Sequence, residues 1–273
     1  MHTMAKDTSE IFLTLFVACY NEEQNIAGTL AACLDALKRF SFTWEIIVID
    51  DASTDNSVQV IEAFKRSHPG LPIRLYVNPR NKGLAENYID AAFLGKGTWY
   101  RLVCGDNVVP ADSIAEVLEH IGEADMIIPY MAESKARTFF RRFLSTAYTS
   151  VVNLISGHRL HYYNGLAVHS RYNVMRWHGN SRGFGFQAEL IVRLLMKGMT
   201  YREVQIVAHE RAAGKSSALQ LRNILSVAHT LLTLCLWRAS EWLHGRPEIS
   251  PQVVEQVAAA AEDAPRQKRT AIL

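Results

Sequence analysis

The feature that most constrains this chain is the alternation of short apolar runs with amphipathic segments over its first half. Residues 11–18 (IFLTLFVA) and 44–49 (WEIIVI) are almost continuously apolar, which is typical of strands buried on both faces. Between them, apolar residues recur at helical spacing, at Ile26, Leu30, Leu34 and Leu37. Alternating strands and helices predict an α/β fold with a mostly parallel central sheet and helices on both faces.

The alternation continues to about residue 130 and is less regular beyond it. Further strands are predicted over 73–77, 99–104, 125–129, 160–169 and 201–207, and helices over 137–155, 186–196 and 219–243. The chain has 273 residues, enough to bury a substantial core in one large domain. We expect a globular domain over 1–219, an amphipathic helix over 220–246 and a weakly ordered tail over 247–273.

Charge and cysteine content exclude several classes of protein. Lys and Arg total 29 against 27 Asp and Glu, so the net charge is +2, which argues against a nucleic-acid partner. The four cysteines form no C-x-x-C pair, which excludes zinc ribbons and thioredoxin motifs. The first ten residues are polar and do not resemble a secretory signal. We therefore expect a cytoplasmic chain with reduced thiols.

Polar clusters follow three of the predicted strands. They contain Asn21 and Glu22 after the first strand, Asp50 and Asp51 after the second, and Asp106 and Asn107 after the fourth. A single cluster is explained more simply by helix caps and turns. Ligands of open α/β sheets bind at the carboxyl ends of the strands, where these clusters meet. Carboxylates there can accept hydrogen bonds from a nucleoside or hold a divalent metal against a diphosphate.

Three segments resemble motifs of the family 2 glycosyltransferases, which have the GT-A fold. Residues 17–22 (VACYNE), 48–55 (VIDDASTD) and 81–85 (NKGLA) are similar to V-P-x-Y-N-E, V-D-D-x-S-x-D and N-x-G-x-x-A. Their order and spacing agree with the family, and the resemblance extends from about residue 12 to 219. It implies a UDP- or GDP-sugar donor. The donor contacts that it implies in this half are Ala18, Tyr20, Asn21, Glu22, Asp50, Asp51, Lys82 and Gly83.

The later half is most similar to the polyprenyl- and dolichol-phosphate sugar synthases. Residues 186–190 (FQAEL), 203–206 (EVQI) and 210–216 (ERAAGKS) are similar to their F-Q-x-E-L, E-V-P-I and E-R-x-x-G-x-S segments. The resemblance implies an inverting hexosyl transfer to a lipid-linked acceptor, with polyprenyl phosphate as the expected one. It implies that Arg211, Lys215 and Ser216 face the donor diphosphate or the acceptor phosphate, which suits the planar fork of an arginine.

The acceptor contacts implied by the same resemblance are Arg137, Arg141, Arg142, Asn164 and Gln187. For the three arginines, a solvated or membrane-facing basic helix start is an equally good explanation. The synthases usually have Asp and then Ser or Thr before a glycine that is followed by Phe-Arg. Here Asn164 is followed by Gly165, Leu166 and Ala167, so acceptor recognition is expected to differ.

The metal motif of the family is incomplete in this sequence. Cys104 stands where D-x-D has its first aspartate, and Asp106 is the second. The resemblance implies Mg²⁺ or Mn²⁺ at Asp106, but a thiol is a poor ligand for a hard cation. Either Asp106 holds the metal with donor phosphates and water, or cationic side chains such as Arg211 neutralise the leaving diphosphate.

Two alternatives to transfer onto a lipid phosphate remain open at this point. Loss of the first metal-motif aspartate is compatible with a catalytically silent module that binds a nucleotide sugar or a partner protein. Transfer to a hydroxyl group of a glycan would need a general base, for which Glu189 and Asp106 are the candidates.

Residues 224–237 (ILSVAHTLLTLCLW) are the most apolar stretch of the chain. They are about 14 residues, fewer than the roughly 20 that a membrane-spanning helix needs. A helix on a membrane surface, a buried core helix and a dimer interface all fit this stretch. The expected location is thus the cytoplasm or the cytoplasmic face of a membrane, with a homo-oligomer as one outcome.

Overall fold

The computed structural model describes residues 10–131, 139–177, 179, 183, 185–208 and 221–244. The strands are β1 (Leu13–Cys19), β2 (Trp44–Asp50), β3 (Ile73–Val77), β4 (Trp99–Cys104), β5 (Met126–Met131), β6 (Val168–Ser170) and β7 (Tyr201–Ile206). They form one sheet in the order β3-β2-β1-β4-β6-β5-β7. The pairs β3-β2, β2-β1, β1-β4 and β5-β7 are parallel, and β6 is antiparallel to both neighbours. The predicted α/β fold with a mostly parallel sheet is confirmed.

Helices connect the strands and cover the sheet. They are α1 (Ile26–Leu37), α2 (Ser57–Ser67), α3 (Leu84–Leu94), α4 (Ala111–Glu119), α5 (Phe139–Ser156), α6 (Arg171–Trp177), α7 (Phe186–Met196) and α8 (Leu221–His244). Phe16 and Ile47 face a core shared with α3 and α7, whereas Leu15 and Ile46 face a second core shared with α1 and α4. Because both faces of the central strands are buried, both sets of alternating side chains are apolar.

Two local predictions are wrong. A helix cap was one explanation for the polar cluster with Asn21, but α1 begins only at Ile26, and Asn25 precedes it. Residues 160–169 were expected to form a strand, but β6 contains only Val168–Ser170. The preceding residues turn instead, with the Ala167 amide donating to the Gly165 carbonyl. This turn carries the chain past the end of β5, where a regular strand would have continued the sheet.

The long helix α8 packs against α5 and α7. Its Thr230 and Leu234 side chains are fully buried, and Leu234 belongs to the same core cluster as Phe16. The helix thus shares the core of the domain, and the predicted tail over 247–273 lies outside the described residues. Over the part of the chain that the structure describes, every helix is too short or too polar to cross a bilayer.

Candidate active site

Hydrogen bonds hold the loops after β1 and β2 together at the carboxyl edge of the sheet. The Asn21 amide donates to Ser53 Oγ at 2.9 Å, and the Thr54 amide donates back to Asn21 Oδ1 at 2.8 Å. One residue on, the Glu22 amide donates to Ser57 Oγ at 2.8 Å. Asn21 adopts a left-handed conformation with φ of 54°, which asparagine tolerates better than most residues. Asn21 therefore shapes the loop, instead of capping the helix.

Asp50 ends β2 and is fully buried. Both of its carboxylate oxygens accept hydrogen bonds from Ser53, from the amide at 2.9 Å and from the hydroxyl at 2.5 Å. This arrangement turns the chain sharply out of the strand, and Ala52 follows with a positive φ of 62°. Asp50 thus fixes the shape of the loop on which the exposed polar groups lie.

Asp51 is the link between the loops after β2 and β3. Its Oδ1 accepts hydrogen bonds from the Lys82 amide and the Asn78 side chain, both at 2.8 Å. Its Oδ2 accepts one from the Gly83 amide at 2.8 Å. Burial alone would raise the pKa of the carboxyl group, but hydrogen bonds from Asn87, Lys82, Asn78 and Gly83 outweigh it and lower the pKa from 3.8. Asp51 is therefore a carboxylate that organises backbone amides around it.

The loops after β1 and β3 place Tyr20 and Lys82 at the rim of the edge. Lys82 Nζ lies 2.7 Å from Asp90 Oδ2, so its ammonium group is paired with a carboxylate of α3. The Tyr20 ring is half exposed, at 50%, directly after β1. A half-exposed aromatic ring beside a polar edge is suited to stack on a nucleobase.

The loop after β4, which carries Asp106, rests against β1 and α1. The Gly105 amide donates to the Ala18 carbonyl at 2.8 Å, and the Asn107 amide donates to Thr29 Oγ1 at 2.9 Å. A Cβ atom at Gly105 would lie 2.7 Å from the Ala18 oxygen, so only glycine fits this approach. Ala18, Asp51 and Asp106 are thereby brought to adjacent loops at one edge of the sheet.

The side chains of this edge do not build a complete metal site by themselves. Asp106 is the only carboxylate of residues 104–110, and Cys104 offers a soft thiol to a hard cation. No group of three His, Cys, Asp or Glu side chains within the described residues is arranged to hold a metal. The set does not fit a preformed Mg²⁺ or Mn²⁺ site, so no catalytic step is derived through a metal.

Asn164, an expected acceptor contact, lines a cavity beside the Asp106 loop. The cavity is about 70 Å³. Its walls are the ends of β4 and β5, the 162–166 turn, Val109 and Ile206. Asn164 Oδ1 is buried there without a hydrogen-bond partner, which is rare for a polar atom in a folded protein. The structure therefore brings Asn164 close to the loop that carries Asp106.

Gln187 and Glu189 lie on α7 and are both buried, at 2% and 1% exposure. Gln187 lies against Tyr88 of α3 and buried His169, not on an open surface. A Cβ atom at Gly179 would collide with the Glu189 carboxylate, so the backbone of that residue covers it. The two residues are thus beneath the surface in this conformation.

The other residues expected at the site lie at the start of α5 or outside the described residues. Arg141 and Arg142 lie in the first turn of α5. Arg137, Arg211, Lys215 and Ser216 lie outside the described residues.

Sequence reasoning missed three residues that support the site. Asn78 and Asn87 hold Asp51, and they are joined to each other by a hydrogen bond of 2.7 Å. Asn78 follows β3 directly, so a search for polar residues after each strand would have found it. Arg193 interacts electrostatically with Glu189 across one helical turn, an i, i+4 pair that the sequence contains.

Comparison with known proteins agrees with this architecture. The sequence matches Glycosyl transferase family 2 over residues 14–178, more than half of the chain. A dolichyl-phosphate beta-glucosyltransferase of Trichomonas vaginalis is 25% identical over 255 residues, covering 86% of this chain and 74% of that protein. An undecaprenyl-phosphate 4-deoxy-4-formamido-L-arabinose transferase of Pectobacterium atrosepticum is 22% identical over 227 residues, covering 81% and 67%.

A solved structure shares the fold. Glucosyl-3-phosphoglycerate synthase of Mycobacterium tuberculosis, in complex with Mn²⁺, UDP-glucose and phosphoglyceric acid, superposes with a TM-score of 0.64 at 16% identity. The superposition covers 88% of this chain and 81% of that one. The family match, the sheet order and the clamped loops lead to one conclusion: the chain belongs to glycosyl transferase family 2, has the GT-A fold, and is similar to the polyprenyl- and dolichyl-phosphate sugar transferases.

Proposed function

We propose that this enzyme transfers one hexosyl group from a UDP- or GDP-sugar to a polyprenyl phosphate, with inversion at the anomeric carbon. The observation that carries the proposal is the meeting of the loops after β1, β2, β3 and β4 at the carboxyl edge of the sheet, where Asp51 joins the loops after β2 and β3. Relatives named for transfer to dolichyl and undecaprenyl phosphate support the acceptor class.

The donor would lie along this edge. Tyr20 is placed to stack on the base, and the loops held by Asp50 and Asp51 would present polar groups to the nucleoside. Asn21, Glu22, Lys82 and Gly83 act in the proposal by shaping these two loops. Asp106, on the loop against Ala18, would face the ribose and diphosphate. A solved neighbour of the same fold is in complex with Mn²⁺ and UDP-glucose, which supports a nucleotide-sugar donor. In the proposal, a metal at Asp106 would need the donor phosphates as further ligands.

The transfer itself needs little proton chemistry. An oxygen of the acceptor phosphate attacks the anomeric carbon from the side opposite the nucleotide. The new carbon–oxygen bond forms as the bond to the diphosphate oxygen breaks, and the electron pair leaves with the nucleoside diphosphate. Because the acceptor is already an anion, no general base is required. Arg211 and Lys215, with Ser216, would stabilise the charge that develops on the leaving group.

The acceptor phosphate would enter beside Asn164 and the basic start of α5, at Arg141 and Arg142, with Arg137 just before it. A glycan hydroxyl acceptor would instead need a general base, either Glu189 or Asp106. The burial of Glu189, at 1% exposure beneath Gly179, disfavours Glu189 in that role. Gln187 is also buried and would pack beneath the acceptor region.

The test is sugar transfer in detergent with a panel of UDP- and GDP-sugars, each offered with polyprenyl phosphate. We expect release of free nucleotide that depends on the acceptor, and a product of inverted anomeric configuration by NMR. The matched control is the Asp106→Asn variant, which should retain its fold but lose most turnover. If the protein binds a donor but shows no turnover with any pair of donor and acceptor, the catalytically silent module is favoured. That alternative follows from Cys104, which replaces the first aspartate of the metal motif.

A further inference from the structure

His161 lies just before the 162–166 turn and is held by residues of β5 and β7. Both oxygens of the Glu203 carboxylate accept hydrogen bonds from it, Oε1 from the His161 amide at 2.7 Å and Oε2 from the ring Nδ1 at 2.8 Å. The ring also stacks on Tyr130, with centroids 4.6 Å apart and planes 15° from parallel. The Glu203 side chain is only 14% exposed, whereas that of His161 is 67% exposed. An imidazole that is fixed in place and open to solvent is suited to bind a ligand.

The contact with Glu203 determines which ring nitrogen faces outward. A carboxylate only accepts hydrogen bonds, so Nδ1 of His161 carries a hydrogen atom and donates it. Nε2 lies on the other side of the ring and is directed away from Glu203. This nitrogen accepts a hydrogen bond when the ring is neutral and donates one when the ring is protonated. The outward side of His161 can therefore share a proton with a ligand.

The register of the sheet places the His161 ring at the carboxyl edge. His169 of β6 is paired with Tyr100 of β4 on one side and with Met126 of β5 on the other. Cys104 and Tyr130 are each four residues farther along these two parallel strands, so they lie at the same height. The two strands are separated by two strand spacings, roughly 10 Å. The ring that stacks on β5 is thus close to the loop after β4, which belongs to the proposed donor site.

Arg159 adds a permanent cation on the same side of this segment. Leu160, between Arg159 and His161, is 3% exposed, and its amide and carbonyl are both hydrogen-bonded to the Asn153 side chain at 3.0 Å. The two flanking residues are exposed. Because Leu160 turns inward, its two neighbours turn to the solvent side. A guanidinium group next to an imidazole is suited to an anionic ligand that also carries a titratable proton.

We propose that His161 and Arg159 bind the phosphomonoester group of the acceptor, with Glu203 as the positioning residue that orients the ring. The inference rests on the proposed function for the source of this group. A phosphate monoester loses its second proton at about pH 6, and a histidine of a model peptide loses its proton at about pH 6.5. One proton can therefore lie between Nε2 and a phosphate oxygen, whichever of the two groups brings it. The diphosphate of a nucleotide sugar is esterified at both ends and has no such proton, so the pair distinguishes acceptor from donor.

The first test measures binding without turnover. The imidazole NMR signals of His161 in the full chain are identified by their absence in His161→Gln and followed during titration with geranyl phosphate, inorganic phosphate or UDP-glucose. We expect both monoanion and dianion forms of geranyl phosphate to shift the Nε2 signal, inorganic phosphate to shift it less, and UDP-glucose to leave it unchanged. A shift with UDP-glucose alone would assign the ring to the donor and overturn the proposal. A shift with inorganic phosphate alone, or with none of the three, would also overturn it.

The second test is sugar transfer to polyprenyl phosphate in detergent. His161→Gln should raise the KM for the acceptor about tenfold, the scale of one lost charge-assisted hydrogen bond. The kcat and the KM for the donor should stay within about twofold, because the lost contact is made equally in the bound state and in the transition state. Glu203→Gln keeps an oxygen for the His161 amide but removes the charge that orients the ring, so it should raise the same KM by a smaller factor.

The matched control is His120→Gln. His120 Nδ1 is also paired with a carboxylate, Glu123 at 3.1 Å, but this pair follows the end of α4 and precedes β5, away from the carboxyl edge. The variant should have the KM and kcat of the unmodified protein. A lower kcat of His161→Gln at unchanged acceptor KM would show that the imidazole acts in proton transfer, and would overturn the proposal. If no acceptor supports transfer, the NMR titration still decides whether the monoester binds, so the two failures can be told apart.

Discussion

At the scale of single residues, the two neighbouring aspartates after β2 have different tasks. Asp50 uses both oxygens within its own turn, on Ser53, whereas Asp51 reaches across to the amides of Lys82 and Gly83. Both are nearly or fully buried, and their contacts are with the protein itself. We therefore expect each aspartate to affect donor binding through the loop that it holds in place.

Removal of the Asp51 carboxylate should loosen the loop and weaken the donor site together. In Asp51→Ala, the Lys82 and Gly83 amides lose their acceptor, which should destabilise the protein by about 1–3 kcal/mol. We expect UDP or GDP affinity to fall by a similar amount, measured by isothermal titration alongside urea unfolding. Asp35→Ala, which removes an exposed ion pair with Lys38, is the control and should change neither. Unchanged affinity in a folded Asp51→Ala protein would remove Asp51 from the donor site.

We expect Cys104 to limit the affinity of the loop after β4 for a divalent metal. Replacing it by aspartate adds a hard oxygen ligand beside Asp106, so Cys104→Asp should bind Mn²⁺ more tightly in the presence of UDP or GDP. Electron paramagnetic resonance of free Mn²⁺ measures this directly. Cys104→Ser, which adds no charge, should remain near the original affinity. Equal affinity of the aspartate variant and the unmodified protein would show that Cys104 does not occupy a ligand position.

Arg211 is expected to stabilise phosphate charge in the transition state. Arg211→Ala should lower turnover about 10²–10³-fold, the scale for one lost stabilising group. Arg211→Lys should recover only part of it, because a point charge cannot reproduce the planar fork. The assay is transfer to polyprenyl phosphate in detergent, with folding checked by circular dichroism. Full activity in Arg211→Ala would leave the residue as part of a solvated basic loop.

At the scale of elements, the start of α3 shows how a loop and a helix are joined at the site. Gly83 precedes the helix with φ of 88° and ψ of 159°, a conformation open almost only to glycine. In this conformation its amide points at Asp51, and the helix runs into the core that it shares with α7, where Tyr88 packs against Phe186. The loop after β3 is thus connected through α3 to the helix that carries Gln187 and Glu189.

A side chain at position 83 should disturb this junction. Gly83→Ala should lose about 1–3 kcal/mol of stability from backbone strain. Because the amide of residue 83 is held by Asp51, nucleotide affinity should fall as well. Chemical unfolding and nucleotide titration measure the two effects. Gly70→Ala is a control for the strain alone, since Gly70 also has a positive φ, of 84°, in the turn before β3. It should reduce stability and leave nucleotide affinity unchanged.

At the scale of the whole molecule, two apolar cores on opposite faces of the sheet hold the site edge in place. The core shared with α3 and α7 contains a polar cluster of Tyr88, His169 and Gln187. Both ring nitrogens of His169 are buried without a hydrogen-bond partner. Burial lowers the pKa of His169 from 6.5 to about 4 and outweighs the opposite effect of the nearby Gln187. The folded state therefore keeps this imidazole neutral.

This burial predicts acid sensitivity of the whole fold. Because the folded-state pKa of His169 is below its unfolded value, its neutral form contributes full stability above pH 6.5. The contribution is lost as pH falls from 6.5 through 4, and amounts to on the order of 3 kcal/mol. Urea unfolding at a series of pH values measures the slope. His169→Gln should flatten the pH dependence of the free energy of unfolding between pH 6.5 and 4. His229→Gln changes an exposed histidine of α8 and is the control, so it should leave that pH dependence unchanged.

The sequence determined the fold class and the location of the site edge. Continuous apolar runs such as 11–18 can be satisfied only by a sheet covered on both faces, and the polar residues at their ends then meet at one edge. The helix over 186–196 was predicted to the residue, because periodic apolar spacing is a local property. The order of the motifs along the chain predicted that Asp51, Gly83 and Asp106 lie on loops at the same edge of the sheet.

Only the tertiary structure decided what these residues contact. That Asp51 holds amides 31 and 32 residues away depends on a long-range pairing of loops that local spacing does not encode. The short β6 and the turn before it depend on the room left between the ends of β4 and β5. The same is true of α8, whose apolar sequence fitted a core helix and a surface helix equally. Its packing on α7 buries one side and leaves the other exposed, because a helix can turn only one face to the core at a time.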